Sequence, residues 1–289
     1  MINFNTNYLI IFIAITIITL LLTYFIRKNV KDDFKNKDII LIPQKFKIDT
    51  QNLINNLFNN TKCYNNYQII NGIETPLNIK TDHMKYNLNS PEHINILIEL
   101  FYLLNMFYEY SIKNNILYTL SAGNLLGYYR GSVILPWDDD IDVMVKDTDF
   151  DKIIELWVNN NQKETDIWDK NWSYKKINLN SQDIFLLKHK NRKFFKIKLS
   201  IDNIEKSGKF QKDIGGLDIE LMSGYSIGGP SKPLQNEIIE ILNNTNEEDY
   251  EIIQYGHAKT RIIRKELALL LLNKMYPRWK EKKHPKLFK

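Results

Sequence analysis

Two short stretches of this sequence alternate acidic and apolar residues, and this alternation constrains the fold more than any other feature. The first reads DIDVMV and the second LDIEL. Because successive side chains of a β-strand point to opposite faces of the sheet, each stretch predicts a strand with one acidic and one apolar face. Asp140 and Asp142 then share a face of the first strand, and Asp218 and Glu220 share a face of the second.

Carboxylates that share a strand face repel each other, and they are costly to bury without a positive partner. Mg²⁺ or Mn²⁺ suits them, because these ions bind a few carboxylates together with substrate phosphates. If the two strands are neighbours, Asp218 joins Asp140 and Asp142 as a third carboxylate, with Glu220 as the other candidate. Such a site can perform phosphoryl or nucleotidyl chemistry, in which the third acid accepts a proton from the attacking hydroxyl.

The acidic run has two simpler explanations. Acids in sequence often form only a solvated loop, but the alternation with apolar residues at two separate places argues against that here. An EF-hand would use Asp138, Asp140 and Asp142 as its first, third and fifth positions. Its sixth position should be Gly and is Val143, and its twelfth should be Glu and is Asp149, so the pattern excludes this motif.

The segment before the acids contains residues suited to binding phosphate. Gly123 would let the backbone approach a phosphate at the start of a helix-like segment, where free N–H groups are available. Arg130 can grip phosphate with two parallel hydrogen bonds. The simpler interpretations are that Asn124 caps a helix and that Arg130 forms a surface ion pair.

The composition excludes several classes of protein. Hydrophobic residues make up 44% of the 289 residues, which predicts a folded core. The single cysteine, Cys63, rules out an intrachain disulfide framework and a cysteine-rich zinc site. The net charge of +5 is mild and the basic residues are spread along the chain, so nucleic acid is not an expected partner.

Residues 8–26 read YLIIFIAITIITLLLTYFI and contain no charge, glycine or proline. A helix of this length is about 28 Å long, which matches a bilayer's hydrocarbon core. A signal peptide would carry a basic segment before the apolar run and a small-residue cleavage site after it, and neither is present. The segment therefore predicts a single transmembrane anchor. Arg27, Lys28 and Lys31 follow it and favour a cytosolic C-terminal part.

The remaining pattern mixes strands and helices without strict alternation, which predicts an α+β (mixed α/β) domain with a central sheet. Apolar spacing predicts helices from Pro91 to about residue 113 and over 147–161, 233–243 and 259–275. Strands are predicted over 116–120, within 172–199 and at LDIEL, and short strands among loops over 59–89. The predicted organisation is a short tail (1–7), the membrane anchor (8–26), a polar stalk (27–48) and one catalytic domain (49–289).

The stretch GNLLGYYRGSVILPWDDDIDV resembles the signature of the LicD/fukutin family. The residues that match this signature are Gly123, Leu125, Leu126, Gly127, Arg130, Pro136, Trp137, Asp138, Asp140 and Asp142. The resemblance implies a nucleotidyltransferase-like fold, with a central mixed sheet flanked by helices. It also implies transfer of a phospho-alcohol, such as phosphocholine or ribitol phosphate, from a CDP-activated donor to a hydroxyl of a glycan or glycolipid, with release of CMP.

The resemblance also implies residue roles. Asp140 and Asp142 would hold Mg²⁺ or Mn²⁺, and Asp218 would be the third carboxylate and candidate base, with Glu220 as the fallback. Arg130 would steady the donor's phosphates, while Asp138 would shape the loop.

One position departs from the family pattern, because Asn124 stands where Thr or Ser is usual. The eukaryotic branch of the family resides in the Golgi lumen behind a similar anchor, whereas the charge bias after the anchor favours the cytosol. Two other functions remain open. One is a D-x-D glycosyltransferase that uses a nucleotide sugar, and the other is a non-catalytic, membrane-tethered domain that binds nucleotide or glycan.

Overall fold

A computed structural model describes residues 62–63, 67–70, 73–76, 91–131, 133–135, 138–166, 172–199, 215–224 and 236–281. The predicted tail, anchor and stalk all lie outside these residues. Within the described ranges, no helix is both long and apolar enough to cross a bilayer.

The centre of the fold is a mixed seven-stranded sheet. In spatial order its strands are β4 (Tyr118–Leu120), β5 (Ile141–Val145), β10 (Leu217–Leu221), β9 (Phe194–Lys198), β8 (Gln182–His189), β7 (Trp172–Leu179) and β6 (Thr165–Asp166). Strands β5 and β10 are parallel, and the other pairs are antiparallel. This sheet and its helices confirm the predicted α+β class.

Five α-helices lie in the described part of the chain. They are α1 (Pro91–Lys113), α2 (Ala122–Gly131), α3 (Asp147–Val158), α4 (Asn236–Asn243) and α5 (Lys265–Met275). Helix α1 ends near Asn115, whose φ of 51° is left-handed and cannot continue a right-handed helix.

Two smaller sheets complete the structure. Strands β1 (Lys62–Cys63), β2 (Tyr67–Ile70) and β3 (Ile73–Pro76) form an antiparallel sheet. They confirm that short strands occur in the region 59–89. Strands β11 (Tyr250–Tyr255) and β12 (Ala258–Ile263) form a hairpin.

The apolar face of the central sheet packs against α1 and α3. Val143 lies opposite Leu120 on one side and Ile219 on the other, and Ile219 lies opposite Phe195, so four strands contribute one apolar row. The rings of Phe150 in α3 and Phe195 are 5.8 Å apart. Burial of each such side chain is worth about 1.5–3 kcal/mol, which fixes the orientation of the acid-bearing strands.

The opposite face is apolar at one end and charged at the other. Met144 is fully buried there, in a cluster with side chains of α2 and α5 that include Leu125, Leu126 and Leu271. Asp142 lies on the same face, two residues before Met144. The sheet therefore places its charged residues at the edge of a packed core.

The predicted helix over 259–275 is wrong in its first part. Residues 258–263 form strand β12, and the helix begins only at Lys265. Ile262 and Ile263 point to opposite faces of β12, yet both are buried. A strand buried on both faces has an apolar run that cannot be distinguished from a helix by periodicity.

Candidate active site

Three carboxylates meet where β5 and β10 run side by side. Asp218 lies directly opposite Asp142 in the parallel pair, and Asp140 immediately precedes β5. Asp140, Asp142 and Asp218 each offer a carboxylate oxygen, and these atoms lie within 4.8 Å of one another. The fold thus brings together the three residues that the sequence selected as metal ligands, although the first of them lies just before the strand rather than in it.

Backbone hydrogen bonds join the loops that lead into these two strands. The amide of Ile141 donates to the carbonyl of Gly216 at 3.1 Å, and the amide of Gly215 donates to the carbonyl of Asp139 at 2.8 Å. Gly216 has a φ of 105°, and a Cβ added to it would lie 2.9 Å from the carbonyl oxygen of Ile197. Glycine is needed here for both reasons, so Gly216 helps to fix Asp218 beside Asp142.

Asn124 positions the start of β5. Its side chain is buried, with Nδ2 donating to the carbonyl of Asp140 at 3.3 Å and Oδ1 accepting from the amide of Asp142 at 2.5 Å. Both ends of the amide are therefore used by the backbone that carries the metal ligands. A hydroxyl, as in the family's usual Thr or Ser, would have a shorter reach than this amide.

Gly123 and Asp138 are in close contact. A Cβ added to Gly123 would lie 2.5 Å from Oδ2 of Asp138, so the glycine leaves space for that carboxylate. The amide of Asp138 donates to the carbonyl of Leu135 at 2.9 Å, which forms the turn before the acids. Burial, reinforced by the charges of Asp140 and Asp139, raises the pKa of Asp138 well above its usual range.

Burial and mutual repulsion raise the pKa values of the clustered carboxylates. Burial and the charge of Asp140 raise the pKa of Asp142 well above its usual range. Burial likewise raises the pKa of Asp218 to about 8, against the lowering effect of Lys196. A divalent cation would offset this crowding, and an all-carboxylate oxygen donor set is the kind that Mg²⁺ and Mn²⁺ prefer. The residues present therefore fit such an ion.

Lys196 is a neighbour of the cluster that the sequence interpretation missed. It lies in β9 directly opposite Asp218, and its Nζ is 2.9 Å from Oδ1 of Asp218. Only 2% of its side chain is exposed. The sequence FFKIK does contain a signal, because its two lysines alternate with apolar residues just as the acids do in DIDVMV.

Glu220 lies one step further along the same face of β10, opposite Met144 and Phe194. It is outside the group of three carboxylates that could share an ion. Burial raises its pKa to about 7, the charge of Arg192 opposes that increase, and the charge of Asp140 adds to it. The geometry thus favours Asp218 over Glu220 as the third ligand.

Arg130 binds the C-terminal segment, residues 276–281. Its Nε and Nη2 donate to the carbonyl of Trp279 at 3.3 and 3.2 Å, and Nη2 also donates to the carbonyl of Glu281 at 2.7 Å. Nη1 is buried and has no hydrogen-bond partner among the described residues. Two of the three guanidinium nitrogens are therefore used within the protein, so the structure gives Arg130 a role in holding the C-terminal segment.

Two tyrosines also lie near the acids, and no motif pointed to them. Burial raises the pKa of Tyr276, and the charges of Asp138, Asp142 and Asp140 raise it further. Burial also raises the pKa of Tyr255, whose hydroxyl would lie 2.9 Å from a Cβ added to Gly127. The C-terminal segment and the β11–β12 hairpin therefore both border the site.

Fold and site together define an α+β protein with a three-carboxylate centre suited to a divalent cation. Residues 115–217 match the family described as LicD/FKTN/FKRP, nucleotidyltransferase domain. This match supports membership of the LicD family, as the resemblance implied. The matched range contains Asp140 and Asp142 and ends one residue before Asp218. Pro136 and Trp137, which contribute to the signature, lie outside the described residues.

A curated relative supports the same family. Over 55 residues the chain is 33% identical to the lipopolysaccharide cholinephosphotransferase LicD of Haemophilus influenzae. The similarity covers 19% of this chain and 21% of that protein. The chain thus matches about a fifth of the length of this relative.

Proposed function

We propose that this protein is a metal-dependent phosphotransferase. It moves a phospho-alcohol, of the phosphocholine or ribitol-phosphate type, from a CDP-activated donor to a hydroxyl of a glycan or glycolipid and releases CMP. The observation that carries the proposal is the meeting of Asp140, Asp142 and Asp218 on two adjacent strands within and beside the family-matched range. The name of the bacterial relative supports a phosphocholine-type donor.

Asp140, Asp142 and Asp218 would hold Mg²⁺ or Mn²⁺. When bound, such an ion offsets the negative charge of the donor's phosphate oxygens. Asn124 keeps Asp140 and Asp142 in place through the backbone of β5. The hydrogen bonds between the loops before β5 and β10 keep Asp218 beside them.

Asp218 is the proposed proton acceptor. As the acceptor oxygen forms its bond to the transferred phosphorus, the bond from that phosphorus to CMP breaks and CMP leaves with the electron pair. The hydroxyl proton passes to a carboxylate oxygen of Asp218. Asp218 is placed for this step because a carboxylate oxygen of Asp218 lies within 4.8 Å of those of Asp140 and Asp142.

A donor screen tests the proposal. The purified full chain is incubated with CDP-choline, CDP-ribitol and a set of nucleotide sugars, each with Mg²⁺ or Mn²⁺ and with a mixture of glycan and glycolipid acceptors. We expect CMP release from a CDP-activated donor, abolished by chelation and restored by added metal. Folded protein that releases no CMP from any CDP donor contradicts the proposal. Turnover of a nucleotide sugar instead would support the glycosyltransferase, and binding without turnover would support the non-catalytic domain.

We also propose that residues 8–26 anchor the enzyme in a membrane, close to its glycan or glycolipid acceptor. The support is the uncharged 19-residue apolar run. Protease treatment of sealed vesicles tests the side of the catalytic domain. Digestion from the cytosolic side would agree with the basic residues after the anchor, and protection would agree with the Golgi or endoplasmic-reticulum lumen of the eukaryotic relatives. Extraction of the protein by salt alone would contradict the anchor.

A further inference from the structure

Lys196 is an unusual neighbour for a metal site. A lysine with 2% of its side chain exposed is costly to keep charged, so its place beside Asp218 requires compensation by the acids. Asp142, Asp218 and Lys196 lie side by side on three adjacent strands, in the order acid, acid, ammonium. Asp218 is thus placed between the two ligands contributed by the β5 segment and a fixed positive charge.

The ammonium of Lys196 also acts on Glu220. Its charge lowers the pKa of Glu220, as does the charge of Arg192. Glu220 and Asp218 share a face of β10, so a second divalent ion in this site would be expected to use this pair of carboxylates. Lys196 already provides positive charge to both of them.

The charges of the cluster also argue against a second divalent ion. When ionised, the three candidate ligands carry three negative charges, and the ammonium of Lys196 already offsets one of them. A second divalent ion beside Asp218 would lie close to the ammonium, and in a poorly solvated site that repulsion is strong.

We propose that Lys196 takes the place of a second metal ion, so that this protein binds a single divalent cation at its carboxylates. The proposal rests on the proposed function only in assuming that the three carboxylates are a metal site. During transfer, Lys196 would supply, next to Asp218, the positive charge that a second ion supplies in two-metal sites, where two ions stabilise the attacking and leaving oxygens.

The test counts bound ions without any donor present. Mn²⁺ binding to the purified full chain is measured by calorimetry and by electron paramagnetic resonance of the free ion. We expect one Mn²⁺ per chain for the natural protein and two for Lys196→Met, which keeps the side-chain length and removes the charge. Lys196→Arg should remain at one. Lys176→Met is the matched control, because Lys176 forms a half-exposed ion pair with Asp183, and it should also remain at one.

The number of Mn²⁺ ions bound per chain can overturn the proposal in two ways. Two Mn²⁺ bound by the natural protein would overturn the proposal, and so would a folded Lys196→Met that still binds one. If Lys196→Met does not fold, Lys196→Gln, which can still hydrogen-bond to Asp218, replaces it under the same criterion. Because no donor is used, a protein that binds one ion but never releases CMP would refute the proposed function and leave this inference standing.

Discussion

Asp142 is the residue whose replacement should most clearly separate catalysis from folding. It is central to the cluster, and its pKa is raised well above the usual range by burial and by neighbouring acids. We expect Asp142→Asn to lower CMP release by about a hundredfold or more, since loss of a metal ligand removes several kcal/mol of transition-state stabilisation. In chelator, the same variant should melt at a higher temperature than the natural protein, because a buried repelling carboxylate has been removed. Full turnover by Asp142→Asn would eliminate the metal assignment.

Asp218 and Glu220 form a matched pair on one face of one strand. Asp218 lies with the other ligands and Glu220 does not. Because a positioned base contributes roughly 10²–10⁴-fold, we expect Asp218→Asn to lower the transfer rate by about that factor, and Glu220→Gln to lower it by less than about tenfold. Single-turnover kinetics at saturating metal would measure both. If Glu220→Gln lowered the transfer rate more than Asp218→Asn, Glu220 rather than Asp218 would be the base.

Helix α2 packs tightly against neighbouring residues at Gly127 but not at Gly131. A Cβ added to Gly127 would lie 2.6 Å from the carbonyl oxygen of Val133, whereas one added to Gly131 would meet nothing nearer than 3.8 Å. We expect Gly127→Ala to cost about 1–3 kcal/mol of unfolding free energy, as overpacking does, and Gly131→Ala to cost little. Urea denaturation measures both. Equal effects would show that α2 adjusts its position more easily than the packing suggests.

Arg130 and Tyr129 attach the C-terminal segment to α2. Arg130 donates three hydrogen bonds to its carbonyls, and the ring of Trp279 lies 5.8 Å from that of Tyr129. We expect Arg130→Ala to cost about 1–3 kcal/mol of unfolding free energy, since partly buried carbonyls lose their donors. Arg278→Ala is the control. Its ion pair with Glu281 is exposed, so its loss should cost less than about 1 kcal/mol.

The variants Arg130→Ala and Arg278→Ala can also be compared by their KM for the donor. Because Tyr276 lies close to the acids, detachment of the segment should also change the site. We expect Arg130→Ala to raise KM for the donor, while Arg278→Ala leaves it unchanged. A raised KM without loss of stability would instead indicate that Arg130 contacts the donor directly.

For the molecule as a whole, the acid cluster should make stability depend on pH. The pKa values of Asp218 and Glu220 are raised in the folded state to about 8 and about 7, above their unfolded values of about 4. Groups of this kind favour folding while protonated, so their contribution is present at pH 4 and is lost as the pH rises to about 8. Metal-free protein should therefore melt at progressively lower temperatures across this range.

Two comparisons identify the source of that effect. Added Mn²⁺ should reduce the loss, because an ion that binds the folded state offsets the crowded charges. Asp218→Asn should show a shallower dependence in chelator than the natural protein. Melting temperatures that rise from pH 4 to pH 8 in chelator would contradict the charge balance of the site.

Much of the fold was predictable where the determinant was local. Strands β5 and β10 followed from the alternation in DIDVMV and LDIEL, and α1 from an apolar stripe that ends at Asn114 and Asn115. Strand β12 was not predictable, because burial on both of its faces hides the period of a strand. The site was likewise predictable only in part, because the motif identified the acids but not Lys196.

The sequence by itself determined which side chains share a face of each strand, because alternation depends only on neighbouring residues in the chain. It also carried the family signature and the 19-residue apolar run. Only the tertiary structure decided that β10 lies beside β5 with Asp218 opposite Asp142, that Lys196 pairs with Asp218, and that Arg130 binds the C-terminal segment. These contacts join residues that are distant in the chain, and they depend on how whole strands and helices pack rather than on any local pattern.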